Sequence, residues 1–425
     1  MAKSRNIDYR KWEKKNLILH IIRNDPYSSR SSVKKASRLS MDSVLQYISE
    51  LLDEKLIYEA GTSDEVIPPI AVSPGVGRKA TILSINPEGC YFIGVKFNAS
   101  VMTGLTMDFA GNASEARRIR LGEAAGADEI IKKLYSFIDE LIISLGDKRN
   151  LIRGIGIGVP GLVDSLTGIA AKYVHIKGWN NLPLKKLVEE KFGMKVYVEQ
   201  SIKATTIALK MTPENIMVRD MLYILISRGI GMVIISGNRI CMGHANAAGE
   251  IGHLFAADNG IQCECGKYGC LETEAGSNSI IRKLEEGIKK GRFTKIKEYI
   301  SQRDETVARP EIADLRRALS EGDPDAGELL SEIAGHMSKA VSAAVTLLNP
   351  EKIVFSGEIA HLPGLSDSII DEIKKRCSTE SFRDLIVETS LIDDAFDAEG
   401  AARLVWLHEF NTGTDVFEGR YGQKR

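Results

Sequence analysis

Near residues 94, 156, 229 and 357 a strand-like apolar run meets a glycine, and this recurrence limits the fold more than any other feature of the 425-residue sequence. The runs read YFIGVKF, SVMTGLTMDF, LIRGIGIGVPGLVD, KVYVEQ, MLYILISRGIGMVIISG and, late in the chain, NPEKIVFSGEI. Helical patterns over 127–146, 183–192 and 278–347 alternate with them. Strands that alternate with helices point to an α/β architecture. The spacing is consistent with a duplicated α/β lobe, although no repeat of 20–50 residues is evident. The glycines of GIGIGVPG (154–161) and RGIGMVIISG (228–237) read as strand ends, where the backbone turns tightly or approaches a ligand. Plain turns are the alternative.

At about 150 residues per domain, the length suggests two or three domains. No run of 18 uncharged apolar residues occurs, so no transmembrane helix and no membrane partner are expected. The first residues, MAKSRNIDYRKWEKK, lack the apolar core of a signal peptide, which makes the cytoplasm the expected compartment.

The net charge of -1 says little, but its distribution is uneven. Residues 1–40 hold eleven Lys and Arg against three Asp and Glu. Such a block suits contact with a phosphate backbone, because each neutralised phosphate releases counterions; a solvated basic tail is the bland alternative. Leu17, Ile18, Ile21 and Ile22 are spaced for a helix that Asp25-Pro26 breaks. SSRSSVKKASRLS supplies a short second helix with Ser28 or Ser29 as N-cap. Ser40 starts a third, whose apolar face is Val44, Leu45, Ile48, Leu51 and Leu52. LIYEAG and RKATILSI flank a Pro/Gly/Ser-rich stretch as two strands of a β-wing. In a winged helix-turn-helix the first turn of the third helix enters the major groove. The DNA-contacting candidates are therefore Arg38, Ser40, Met41, Asp42, Ser43, Gln46 and Tyr47, with Arg78 and Lys79 on the wing. A three-helix protein-binding module is the alternative for this segment.

The segment 249–274, GEIGHLFAADNGIQCECGKYGCLETE, gathers His253, Cys263, Cys265 and Cys270. One imidazole and three thiolates form the ligand set of a closed, tetrahedral structural zinc site. Packed reduced cysteines are the structural alternative. A redox role is disfavoured, because neither C-x-C nor C-x4-C has thioredoxin spacing. Glu250 and Glu272 flank the cluster and suit bidentate acceptance of sugar hydroxyls; plain surface glutamates are the alternative.

Together these segments resemble the ROK family (repressors, open reading frames, kinases), in its transcriptional-regulator branch of the NagC/XylR type, from about residue 10 to 408. The most specific element is GEIGH…CECGKYGCLE; GIGVPGLVD, IKGWNNLPL, NPEKIVFSGEI and the GRKATILSIN junction (77–86) also match. The resemblance implies a winged helix-turn-helix followed by a two-lobed, actin-like sugar-kinase (ribonuclease H-like) fold. It implies His253, Cys263, Cys265 and Cys270 as ligands of a structural Zn2+, and Glu250, His253 and Glu272 as sugar contacts. The expected divisions are a DNA-binding domain over 1–87, a first lobe over 88–200 completed by a helix over 397–410, and a second lobe over 201–396.

Two family motifs are altered. Kinases of the family carry a DxGGTK-like phosphate loop, whereas the matching GVKFNASV has Lys96 for the aspartate and Asn98-Ala99 for the glycine pair. The kinases' VEND segment supplies a catalytic aspartate; the match here is Val198-Glu199-Gln200-Ser201. A serine hydroxyl is no general base near neutral pH without its own activator. The expectation is a sugar-responsive regulator of carbohydrate genes, probing operator DNA as a homodimer or dimer of dimers, with no catalytic residues. Gln200 and Ser201 join Glu250, His253 and Glu272 as effector contacts, and Lys203 suggests an acidic or phosphorylated sugar. An ATP-dependent sugar kinase with a DNA-binding head, and a protein-docking adaptor that has lost sugar binding, are the rival expectations.

Overall fold

The computed structural model describes residues 2–62, 80–122, 126–258, 260–303 and 309–410. The chain forms two compact units, one made of residues up to Leu209 and from Asp394 onward, the other of Lys210–Asp393.

The first unit begins with helices α1 (Ala2–Asn24), α2 (Arg30–Ser37) and α3 (Met41–Asp53). A hairpin of β1 (Ile57–Thr62) and β2 (Thr81–Ile85) follows, paired antiparallel. α1 stops where Asp25-Pro26 removes the next backbone donor. Of the two candidate caps, Ser29 is the one used: its Oγ accepts from Ser32 N at 3.2 Å, and Ser32 Oγ accepts from Ser29 N at 2.8 Å. This reciprocal pair is a capping box. Ser40 Oγ caps α3 by accepting from Ser43 N at 3.3 Å. Ile18, Ile22, Val33, Val44, Ile48 and Leu51 are buried together with Ile82 and Leu83 of the hairpin.

Two expectations for α3 are corrected. Leu45, assigned to the apolar face, is 42% exposed, whereas Tyr47, assigned to DNA, is 8% exposed. The buried stripe is Val44, Tyr47, Ile48 and Leu51, an i, i+3, i+4, i+7 set that a straight helix turns to one side. Arg78 and Lys79 lie outside the described residues.

The same unit holds a five-stranded sheet of β3 (Tyr91–Phe97), β4 (Val101–Asp108), β5 (Arg117–Arg120), β6 (Ile152–Val159) and β10 (Val196–Gln200), in the order β10-β6-β3-β4-β5. β3, β6 and β10 are parallel; β4 runs against β3, and β5 runs against β4. A small sheet of β7 (Leu162–Asp164), β8 (Ile169–Lys172) and β9 (Asn180–Leu182) follows β6. In the second unit β11 (Met221–Ile226), β12 (Ile230–Ser236), β13 (Arg239–Ile240), β14 (Lys352–Ser356) and β15 (Ile386–Thr389) take the order β13-β12-β11-β14-β15. Again the first three are antiparallel and the last two parallel. Two sheets of identical strand order are the duplicated α/β lobe that the recurring strand–glycine runs suggested. The long helix Pro324–Leu348, capped by Asp323, covers the second sheet. Among the described residues no helix is long and apolar enough to cross a membrane.

The glycines of the first unit need a second correction. Gly94 and Gly156 stand inside β3 and β6, not at their ends, and the helix Asp394–Phe410 packs on both. A Cβ on Gly94 would lie 2.1 Å from Ala398 O, and one on Gly156 would lie 1.8 Å from Ala401 O. These glycines admit a helix backbone rather than a ligand. Gly156→Ala is expected to cost about 2–3 kcal/mol in urea unfolding. Gly327→Ala, with nothing within 4 Å of the new methyl group, should be neutral or slightly stabilising.

Candidate functional site

The second unit builds its site from the turn after β11 and the long excursion after β13. Gly249 has φ +91°, and a Cβ there would fall 1.9 Å from Met232 O. Only glycine lets this segment press onto β12, and it thereby delivers Glu250 and the short helical turn Ile251–His253 beside the strand. The chain then closes on itself through isolated bridges Phe255–Cys270 and Gln262–Tyr268. Cys263 N donates to Lys267 O at 2.8 Å, and Gly266 N donates to Cys263 O at 2.8 Å, so the tight loop turns its sulfurs inward.

The ligand atoms of His253, Cys263, Cys265 and Cys270 all lie within 4.8 Å of one another. Cys263 Sγ is 3.7 Å from His253 Nδ1, and Cys265 Sγ is 3.7 Å from Cys270 Sγ. A tetrahedral metal with bonds of about 2.3 Å to sulfur and about 2.0–2.1 Å to nitrogen separates its donors by about 3.6–3.8 Å. The donor set and its spacing fit such an ion. Burial pushes the Cys263 thiol up and the Cys270 thiol up to about 12, whereas at Cys265 burial is overcome by hydrogen bonds from the Lys267 backbone and the neighbouring cysteines, which pull the thiol down. A cation would stabilise the thiolates of Cys263 and Cys270.

Using Nδ1 for the cluster leaves the other face of the His253 ring free to act. Its Nε2 lies 3.9 Å from Glu250 Oε2. Glu272 opens the helix Glu272–Ala275 directly after Cys270. Its Oε2 accepts from Ile230 N at 3.1 Å, while Oε1 lies 3.9 Å from Cys263 Sγ. Burial raises the Glu272 carboxyl above its ordinary value, with the Ile230 amide and His253 opposing. The sequence-expected Glu250, His253 and Glu272 are thus gathered around one loop. Such a set offers two carboxylate acceptors and, at His253 Nε2, one N–H donor to a polar ligand.

Gln200 and Ser201 belong to the first unit, at the end of β10 and the start of the helix Ser201–Lys210. Lys203 on that helix is buried, 3% exposed. In the same unit Lys96 Nζ reaches Asp394 Oδ1 at 2.8 Å and Asp397 Oδ2 at 2.9 Å. Asp397 also accepts from the Thr205 hydroxyl, whose helix begins at Ser201.

On the head, Ser40, Met41, Asp42 and Gln46 are exposed on α3, and Ser43 is half-buried. Arg38 caps α2 in the left-handed region at φ 58°. Three members of the basic N-terminal block are paired internally. Lys11 pairs with Glu50 at 2.8 Å, Lys15 pairs with Glu54, and Arg30 pairs with Glu59 at 2.6 Å. Lys34, Lys35 and Arg38, all exposed, crowd the last turn of α2 just ahead of the α3 N-terminus. A helix N-terminus flanked by cations suits a phosphate.

The family model described as "ROK family" matches residues 95–407. The chain belongs to the ROK family. A xylose repressor of Caldicellulosiruptor bescii is 26% identical over 394 residues, covering 92% of this chain and 94% of its own. The crystal structure of a ROK family transcriptional regulator, a homologue of the E. coli MLC protein, superposes with TM-score 0.80 at 25% identity, covering 97% of this chain and 100% of that one. A ROK family glucokinase from Streptomyces griseus, solved with glucose and AMPPNP, matches 74% of this chain at TM-score 0.63 and 22% identity. That likeness gives the fold alone: both units have the actin-like sugar-kinase architecture expected from the motifs.

The ROK match begins one residue before Lys96, and the partners of Lys96 were missed by motif reading. Asp394 and Asp397 are three residues apart, on one face of a helix; that spacing was the available signal. Lys34 and Lys35 were missed as well, although they sit in the basic block. Burial pulls the Lys96 ammonium down, but Asp397 and Asp394 overcome it and hold it above its ordinary value of 10.5. Lys96→Met is expected to cost about 2–3 kcal/mol, less than for a fully buried pair because Asp394 is one-third exposed. A raised lysine contributes stability at every pH below its unfolded value and loses it only as pH rises through the folded one. The deficit of the variant should therefore be equal at about pH 6 and about pH 9 in urea titrations, and shrink only in stronger alkali.

Proposed function

We propose that this ROK protein is a sugar-responsive transcriptional repressor of carbohydrate genes that transfers no phosphoryl group. Support comes from the head: the xylose repressor and the ROK regulator structure both match across more than nine-tenths of the chain, whereas the kinase match leaves about a quarter uncovered.

In this proposal the exposed turn of α3 enters the major groove with Ser40, Met41, Asp42, Ser43 and Gln46. Tyr47 is withdrawn from that set because it belongs to the core of the head. Arg38, joined by Lys34 and Lys35, holds phosphates and so supplies sequence-independent affinity; Arg78 and Lys79 are retained from the sequence for the wing. Glu250 and Glu272 accept from hydroxyls of the effector, His253 Nε2–H donates to one, and Gln200 and Ser201 are kept as contacts to it. His253, Cys263, Cys265 and Cys270 hold a structural Zn2+ that orders the effector loop and, with four protein ligands, activates no water. The active species is a homodimer in the cytoplasm, and its two heads bind half-sites about one helical turn, or a multiple, apart. The effector shifts operator affinity by its differential affinity for the two conformations of the protein.

Phosphoryl transfer is disfavoured by two residues. Ser201 stands where a carboxylate base is needed, and loss of such a base costs about 10²–10⁴-fold. Lys96 is committed to Asp394 and Asp397, so a phosphate brought to this turn meets two carboxylates.

Duplexes selected by the protein from random sequence should be bound in gel shift, and one member of a panel of neutral pentoses, hexoses, N-acetylated aminosugars, acidic sugars and sugar phosphates should change that binding. Glu272→Ala should weaken the response to that sugar by about tenfold or more, since a charged acceptor of hydroxyls contributes about 1.5–3 kcal/mol. An unresponsive wild type indistinguishable from the variant would sink the sensor reading, and turnover of ATP with any panel sugar would favour the kinase.

Elemental analysis of the purified protein should find one zinc per chain, and none in Cys263→Ser. Because ligand binding to the folded state adds to its stability, chelation should lower the melting temperature of the wild type and leave that variant unmoved. Absence of zinc from wild type prepared without chelator would refute the metal assignment.

A further inference from the structure

The head is attached to the first lobe through the chain itself, where Asn86 N donates to Leu56 O at 2.9 Å and Phe109 N donates to Pro87 O at 3.0 Å. A second attachment is made by a side chain. Arg23, in the last turn of α1, lays its guanidinium over the ring of Trp406 with Cζ 4.4 Å from the centroid. Its Nη2 donates to Ala110 O, at 3.4 Å, in the turn between β4 and β5.

The platform beneath Arg23 is rigid. Trp406 is 6% exposed and lies on the helix Asp394–Phe410, which is seated on Gly94 and Gly156. Behind it Phe410 packs tilted against Phe109 and edge-on against Phe92, at centroid distances of 4.9 and 6.1 Å. Gly111 leaves the guanidinium its room: a Cβ there would come within 3.1 Å of Arg23 Nη2.

The attachment itself is weak for so buried a cation. Nη1 of Arg23 and Nε1 of Trp406 are buried without a hydrogen-bond partner. Arg403, paired with Glu399, adds a like charge nearby. Burial, reinforced by Arg403 and opposed by Asp108, pulls the Arg23 guanidinium down to about 10. A cation over an aromatic face is directional, so this contact fixes an angle more than it adds cohesion.

We propose that Arg23 and Trp406 are positioning residues for operator recognition, setting the angle at which the head leaves its lobe and hence the spacing of the two heads in a pair of chains. The inference rests on the repressor reading above. Two heads held at a fixed spacing engage paired half-sites as one unit, and the gain vanishes when the geometry is lost. A single half-site makes no such demand.

The test uses the full-length chain and a duplex selected by the wild type, compared with the same duplex carrying one half-site scrambled. Trp406→Leu and Arg23→Met should lose about tenfold or more of the preference for paired over single half-sites, with affinity for the single half-site unchanged. Arg23→Lys, which keeps a cation over the ring, should recover part of it. A general folding defect would lower both affinities together, and the volume-matched Arg23→Met guards against that outcome. If Arg23→Met and Trp406→Leu bind with the wild-type ratio, the inference is overturned while the repressor reading stands. If the wild type selects no duplex, the repressor reading falls, and this inference with it.

Discussion

The seat of the helix Asp394–Phe410 on β3 and β6 is the contact on which the first unit depends. The chain leaves this unit after Leu209, builds the whole second unit, and returns only at Asp394. Nothing in local propensity makes that return favourable, so it must be secured by close packing. Gly94 and Gly156 on the strands face Ala398, Ala401 and Ala402 on the helix, with the closest approaches made between backbones. Gly400 repeats the device on the other side, where a Cβ would meet Ala204 O at 2.3 Å. Small residues on both partners give dispersion contact over the whole helix face, and the specificity lies in shape rather than in charge.

Charge enters at the two ends of that helix. Asp394 and Asp397 occupy its first turn, where the aligned peptide dipoles favour anions, and Lys96 compensates them from β3. Thr205 joins the same pair, which ties the helix Ser201–Lys210 to the returning segment. At the far end Trp406 receives the arginine of α1. One element therefore touches Lys96, the helix that begins at Ser201 and the base of the head.

The sequence showed the element order and the clustering of His253 with the three cysteines well, and the partners of each group poorly. Helix ends were legible because Asp25-Pro26, Ser29 and Ser40 act within three residues of themselves. The His–Cys loop was legible because donor chemistry and glycine spacing are local properties. Gly94 and Gly156 were misread as strand ends because the backbone that crowds them lies about 250–300 residues away. Tyr47 was placed on the DNA face because both readings of α3 include Val44, Ile48 and Leu51; only the seating against α1 and the hairpin decides which neighbour turns inward. The basic block likewise looked uniform, yet Glu50, Glu54 and Glu59 neutralise three of its members.

In the second unit, ligand chemistry and loop order cannot be separated. The segment from Leu254 to Cys270 exposes Phe255 and Tyr268 and has two isolated bridges in place of a sheet, so apolar burial alone cannot order it. The proposed metal site would supply the missing constraint at both ends of the segment, through His253 and Cys270. Glu250 stands three residues before the first of these and Glu272 two residues after the last. An ion that draws the donors together therefore also sets the distance between the two carboxylates. In the proposed reading, loss of any one sulfur would move Glu272 relative to Glu250 and disturb the proposed effector contacts.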